Sequence, residues 1–184
     1  MTIAQQRSLY GGAISLAIPD AFIDVSTLRE IPDHQEVFTD VKTDMSVIIE
    51  LNTMAEDSES ISFGSSAESF LISRDDNVDV QSELPFLKEV DCKVKLVEGE
   101  QRISKFRETA SNVVRIYLAV IRIPSIETDI LISMNNPIVL AEESSSSRTV
   151  DKEEFSAKNQ SEDSLKVFKQ ILKSFKINDW NLFK

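Results

Sequence analysis

The chain predicts an α+β fold, a sandwich of helices and mostly antiparallel strands around one core, and three observations predict it. Two runs rich in Val and Ile, Asn112 to Ile123 and Glu127 to Met134, are separated only by Pro124-Ser125-Ile126, the spacing of an antiparallel hairpin. Toward the C-terminus Leu165, Phe168, Ile171, Leu172 and Phe175 make one apolar stripe at helical spacing, with Lys166, Lys169 and Lys173 off it. The 184 residues are 41% hydrophobic and 28% charged, a balance that suits a single domain, 1–184, with a sizeable core.

Taken in order, Gly11 to Pro19 reads as the first strand. Ala13, Ser15 and Ala17 alternate there with Ile14, Leu16 and Ile18, and Pro19 ends the strand by lacking an amide donor. The Gly11-Gly12 pair supplies a tight turn into it. Asp24 and Ser26 cap a turn over Thr27 to Glu30, and Pro32-Asp33 breaks it before a strand from Glu36 to Thr39. Ser46 to Leu51 is a continuous β-rich run, expected to be a more central strand beside Val37. Between Met54 and Ser69 the composition turns to Ser, Glu and Asp, yet Phe63, Ala67, Phe70 and Leu71 keep the spacing of a short amphipathic helix. Leu84 to Val90 adds a helical piece, and Lys93 to Val97 and Gln101 to Phe106 look extended before the long hairpin. Residues 141–150, with Ser144-Ser145-Ser146-Ser147, are expected to form a mobile polar loop. A helix over 161–176 then packs across the sheet, because leaving its five apolar side chains in water would forgo about 1.5 to 3 kcal/mol each.

Charge is distributed unevenly. The formal net charge is −11, and the stretch from Asp20 to Glu59 holds eleven acids against two bases, Arg29 and Lys42. From Ser161 to Lys184 the balance reverses, with five lysines against three acids. An acidic quarter of this kind repels phosphates, so it disfavours nucleic acid as a direct partner and favours a basic protein surface. No apolar run approaches the roughly 20 residues that cross a bilayer, so no membrane insertion is expected, and no exposed apolar stripe argues for anything but a monomer. The single cysteine, Cys92, excludes an internal disulfide and reads as a structural thiol.

Catalytic apparatus is not expected. The chain has four glycines and no phosphate-cradling G-x-x-x-x-G-K-[ST] loop, so it is not itself a GTPase. One histidine, His34, set in an exposed turn, rules out histidine-based zinc sites and leaves a Ser-His-Asp arrangement without support. The acids Asp24, Asp33, Glu36, Asp44 and Glu50 match no calcium-loop spacing, and neither a metal nor a cofactor is expected.

A dense motif sits near the start: Leu9-Tyr10-Gly11-Gly12-Ala13-Ile14-Ser15, then Asp24-Val25-Ser26-Thr27-Leu28-Arg29-Glu30-Ile31-Pro32-Asp33-His34-Gln35-Glu36-Val37-Phe38. With Thr43 to Leu51, Ala119 to Ile123, Thr128 to Pro137 and Asn178-Asp179-Trp180-Asn181-Leu182-Phe183, it resembles the Mog1 family of Ran-binding guanine-nucleotide release factors. The resemblance implies an α/β/α sandwich with a mostly antiparallel central sheet, a layering shared with photosystem PsbP-type proteins. It also implies a non-catalytic regulator that binds the Ran GTPase, promotes nucleotide release and supports nuclear protein import, and so works in nucleus and cytoplasm. From roughly Met54 to Ser111 the chain carries little family signature, and Thr53 stands where an acid would extend the acidic face.

The residues expected to meet Ran are Asp24, Arg29, Asp33, Gln35, Glu36, Phe38, Asp44 and Glu50, with Glu36 and Glu50 projecting near Asp33 and Asp44 toward basic side chains. Phe22 and Phe38 serve either as anchors or as core, and Arg29 either as a contact or as a bridge from Asp24 or Asp33. Arg122 and Asp129 are expected to pair on a sheet face. The alternative is an adaptor or trafficking module that uses the same surface, on Ran or on a membrane protein, without changing nucleotide occupancy; a small-molecule enzyme would need a concave pocket holding two of the acids.

Overall fold

The computed structural model describes residues 4–55, 70–77, 79–103, 111–159 and 164–184. Its strands are β1 (Ala4–Leu9), β2 (Ile14–Pro19), β3 (Ile23–Asp24), β4 (Gln35–Asp40), β5 (Met45–Thr53), β6 (Phe70–Asn77), β7 (Lys93–Ile103), β8 (Asn112–Ile123), β9 (Thr128–Val139) and β10 (Lys176–Ile177). Seven form one sheet in the order β3-β4-β5-β9-β8-β7-β6, and β1-β2-β10 form a second. Every pairing in both is antiparallel. The helices are α1 (Val80–Glu83), α2 (Ser145–Thr149), α3 (Lys152–Asn159) and α4 (Ser164–Ser174). This is the expected α+β fold with a mostly antiparallel sheet.

One face of the large sheet is built from alternate residues: Val47 and Ile49 on β5, Ile130, Ile132 and Met134 on β9, and Ala119, Ile121 and Ile123 on β8, none leaving any surface to solvent. These join Ile14, Leu16 and Ile18 of β2 and Phe168, Ile171, Leu172 and Phe175 from α4 and its end in a single core. The period-two and helical patterns thus meet as anticipated. The Tyr117 and Phe168 rings stack with centroids 5.8 Å apart, and the Tyr117 hydroxyl shares a hydrogen bond of 2.8 Å with Ser164 Oγ. Ser174 Oγ accepts the Ala17 N–H at 2.7 Å, pinning the end of α4 to β2.

The hairpin of β8 and β9 forms as expected, closed by a 3-10 turn at Pro124–Ile126 and a left-handed Glu127. Arg122 grips Asp129 in bidentate fashion across it, at 2.8 Å and 2.7 Å. Several boundaries differ from expectation. β1 precedes the expected first strand; its polar sequence buries only Leu9, so no alternation announces it. Residues 10–12 are a 3-10 turn, and β2 starts at Ile14. β7 is one strand where two were expected, because Gly99, Glu98 and Glu100, which read as a break, pair with Ile116, Tyr117 and Arg115. Residues 104–106 of the second expected run lie outside the described residues.

In the expected Met54 to Ser69 helix, residues 56–69 also lie outside the described residues. Phe70 and Leu71, which completed its stripe, open β6 instead. The Leu84 to Val90 piece is a 3-10 turn at Pro85–Leu87, preceded by α1, which Asp79 caps through the Gln81 N–H. The Ser-rich segment is a correction: it forms α2, capped by Ser144, rather than a mobile loop. Ser144 and Ser146 are buried there, and Ser146 Oγ donates to Asp44 Oδ2 at 2.8 Å. α3 went unforeseen because polar tethers hold it more than an apolar stripe does. Asn159 Nδ2 donates to the carbonyls of Thr43 at 2.8 Å and Pro137 at 2.9 Å, and Asn136 Nδ2 donates to the Asn159 carbonyl at 3.0 Å.

Candidate functional site

The acidic motif lies on the β4–β5 hairpin and the loop leading into it. Register sets Gln35 opposite Glu50, Glu36 opposite Ile49, Phe38 opposite Val47 and Asp40 opposite Met45. Side chains alternate between faces along each strand, so Gln35 and Glu50 lie on one face and Glu36 shares the other with the buried Ile49. The Glu36 and Glu50 carboxylates therefore leave the sheet in opposite directions. Each is held. Gln35 Nε2 donates to Glu50 Oε1 at 2.6 Å, and the Tyr10 backbone N–H donates to Glu36 Oε1 at 2.7 Å.

Tyr10 joins the two. Its hydroxyl donates toward the carbonyls of Ile49 at 2.9 Å and His34 at 3.1 Å, the residues flanking Glu50 and Gln35. Burial, then the Glu36 charge, then the Glu50 charge push its phenol well above the ordinary tyrosine range. Tyr10 has φ 48, a conformation unfavourable for a bulky residue, and Gly11 and Gly12 continue the left-handed path at φ 65 and φ 98. The turn thus aims a backbone donor at Glu36 while its ring spans to β5. Charged hydrogen bonds of this kind fix a carboxylate more firmly than solvent does.

The other expected residues fall into three groups. Asp33 is exposed in the loop, as is Arg29, and no ion pair joins Arg29 to Asp24 or Asp33 among the described residues. Asp24 is half-buried and caps a 3-10 turn at Val25–Thr27, earlier than expected, accepting the Ser26 N–H at 2.8 Å. Phe38 is a correction. At 3% exposure it belongs to the core, like Phe22 at 4%, with the Arg7 guanidinium 5.9 Å from its ring centroid. The exposed apolar side chains around the acidic loop are instead Leu28 and Ile23, at 65% and 39%.

Asp44 lies apart from the rest of the group. It occupies the turn at the other end of the hairpin with φ 57 and receives Ser146 Oγ, which ties that turn to α2. Gln35 and Asp40 are five residue steps apart along β4. At about 3.4 Å per residue that is roughly 17 Å.

Sequence reasoning missed Tyr10 as the residue that ties Glu36 to the β4–β5 hairpin, although it lies in the quoted motif. Among the described residues no group of three or more His, Cys, Asp or Glu side chains is placed to hold a metal. A cavity of about 640 Å³ lined by Ile138, Leu140, Arg148, Val150 and Phe155 shares no residue with the carboxylate surface. Cys92 is half-buried, and burial followed by the Asp91 charge raises its thiol, which favours the protonated form.

A family model described as the Ran-interacting Mog1 protein matches residues 7–137. A Dictyostelium discoideum protein named probable ran guanine nucleotide release factor is 40% identical over 190 residues, covering 97% of this chain and 96% of that one. A Schizosaccharomyces pombe protein named nuclear import protein mog1 is 34% identical over 145 residues, covering 71% of this chain and 75% of that one. The fold matches the crystal structure of the Saccharomyces cerevisiae Ran-binding protein Mog1p over 100% of both chains, with a TM-score of 0.62 at 24% identity.

Proposed function

The chain belongs to the Ran-interacting Mog1 family, and from that premise we propose that it binds the small GTPase Ran, promotes release of its guanine nucleotide and serves nuclear protein import. The observation that carries the mechanism is the pair of held carboxylates, Glu36 and Glu50, on either side of the Tyr10 clamp. Fixed acids suit capture of the lysines or arginines with which a GTPase holds phosphate. Exposed Asp33 adds charge that steers encounter and orientation, an effect larger on rate than on affinity.

Release follows from linkage. Whatever factor the protein takes from nucleotide affinity, rebinding nucleotide takes from the protein's own affinity, so the nucleotide-free complex must be the tightest. Because Glu36 and Glu50 face opposite ways, the partner surface wraps the edge of the hairpin rather than lying flat on one sheet face. The setting is the nucleus and cytoplasm, between which Ran-dependent import runs.

The test uses Ran loaded with a fluorescent guanine nucleotide, chased with excess unlabelled nucleotide, and isothermal titration with nucleotide-free Ran. The wild-type chain accelerates release. Glu50→Lys and Glu36→Lys together weaken binding by at least about tenfold, on the scale of close charge pairs at protein interfaces. Glu36→Gln keeps an acceptor for the Tyr10 N–H, so its loss of binding reports charge and not turn geometry. Unchanged affinity and release in the folded double variant would displace this surface from the mechanism. Binding by the wild type without faster release would reduce the role to that of a Ran-binding adaptor.

A further inference from the structure

The segment 178–183 is bonded to the same turn that holds Glu36. The Ala13 carbonyl accepts the N–H groups of Asn178 at 2.7 Å and Asp179 at 3.1 Å, and Asn178 Nδ2 reaches the Gly12 carbonyl at 3.2 Å and Ser15 Oγ at 3.1 Å. Asp179 Oδ1 then caps the next 3-10 turn, Trp180–Phe183, through the Asn181 N–H at 2.9 Å. On that braced backbone Trp180 remains 39% exposed, while Phe183 packs half-buried against the core with its ring centroid 6.0 Å from the indole. The chain's one tryptophan thus stands on a bonded backbone segment, beside Phe183, with about two-fifths of its surface in water.

Its position relative to the carboxylates follows from the bonds. Glu36 lies on the Tyr10 N–H, the Ala13 N–H returns to the Tyr10 carbonyl at 3.3 Å, and Asp179 lies on Ala13. With Cα atoms about 3.8 Å apart along the chain, this puts the Trp180 Cα within about 20 Å of the Glu36 carboxylate. A standard protein interface covers about 800 Å² on each partner and is roughly 30 Å across, wide enough for one footprint to span both. Tryptophan and arginine are the side chains most enriched at binding hot spots, and an indole face attracts a cation when solvent is displaced.

We infer that Trp180, braced by Phe183, is the aromatic half of the partner surface and receives an arginine or lysine from the same basic GTPase face that meets Glu36 and Glu50. The assignment rests on the Ran reading. It gives the interface the desolvated anchor that buried Phe38 does not supply, and charge complementarity selects the occupant: acids and an aromatic plate together fit a basic protein surface. A rigid tryptophan also loses little conformational freedom on binding.

The chain carries one tryptophan, so incorporation of 5-fluorotryptophan yields a single ¹⁹F resonance from position 180. On titration with nucleotide-free Ran this resonance shifts and loses its H₂O/D₂O solvent-isotope difference. Trp180→Ala weakens the complex by roughly fivefold to tenfold, the range of a partly desolvated cation–π contact, and Trp180→Phe recovers part of it. A complex detected by titration calorimetry with an unmoved ¹⁹F resonance overturns the assignment and leaves the Ran reading standing. Failure of the wild-type chain to bind Ran in any nucleotide state overturns the Ran reading, and this assignment with it. The resonance is read on the wild-type sequence, so the test survives poor folding of the alanine variant.

Discussion

Tyr10→Phe removes one oxygen atom and tests the clamp at the centre of the site. The ring remains, as does the backbone N–H that holds Glu36, so only the hydroxyl bonds to the Ile49 and His34 carbonyls are lost. One proton serves both acceptors. A net neutral hydrogen bond contributes about 0.5 to 1.5 kcal/mol, so the variant is less stable by about 1 kcal/mol at pH 8, or about 2 to 4 °C in Tm for a chain of this size. Alkali reverses the order. Burial and the two glutamates raise the phenol in the folded state, so the unfolded chain releases this proton first and wild-type stability falls as pH climbs past the ordinary tyrosine value of about 10. The fall reaches up to about 1.4 kcal/mol per pH unit, a contribution that Tyr10→Phe lacks. Urea unfolding followed by circular dichroism between pH 8 and 11.5 should show a constant gap up to about pH 9.5, then convergence, with the curves crossing at about pH 10.6. A gap that stays constant throughout would refute the reasoning, since it would mean that the phenol ionises in the native state as freely as in the unfolded one.

Two further outcomes concern the scaffold. In a double-mutant cycle on Arg122 and Asp129, whose side chains are 20% and 9% exposed, each alanine costs about 2 kcal/mol and the coupling is about 1 to 3 kcal/mol; absent coupling would make the pair incidental to the hairpin. Phe168→Ala empties a fully buried site beneath Tyr117 and costs about 3 to 5 kcal/mol in chemical denaturation. A loss below about 1 kcal/mol would show that α4 is not docked as described.

The elements legible in the sequence were those whose chemistry is local. β8 announced itself through its density of Val and Ile, and α4 through an apolar stripe from Leu165 to Phe175 that packs into the core, because each pattern lies within a dozen residues. β1 is a polar edge strand that pairs only with neighbouring β2 and buries only Leu9, and α3 is tethered through Asn159 to Thr43, 116 positions away, so neither needs an apolar repeat. The carboxylates of the site could be named from the motif, yet their facing could not. A single step of register decides whether Glu36 and Glu50 share a face, and the odd offset of the pairing, Glu36 opposite Ile49, separates them. Phe38 failed as an anchor for a related reason. Its hydrophobicity is as suited to a core as to an interface, and the alternation that buries it becomes visible only once β4 is paired. Tyr10 was hidden because its role depends on bonds to residues 24 to 39 positions away.

The pairing of β2 with β10 has a consequence in time. Ser174 and Ala17 are bonded across 157 positions, and Lys176 and Ile177 complete the small sheet beside the residues that follow the Gly11-Gly12 turn. During synthesis the β1–β2 hairpin emerges well before its partner, and the β2 edge waits unsatisfied until residues 174–177 have left the ribosome. Contacts between such distant segments form slowly, since the intervening loop must close before they contribute. The turn that aims Tyr10 at Glu36 is therefore among the last features to become rigid, and a nascent chain stalled short of residue 178 has the acidic loop but no braced surface.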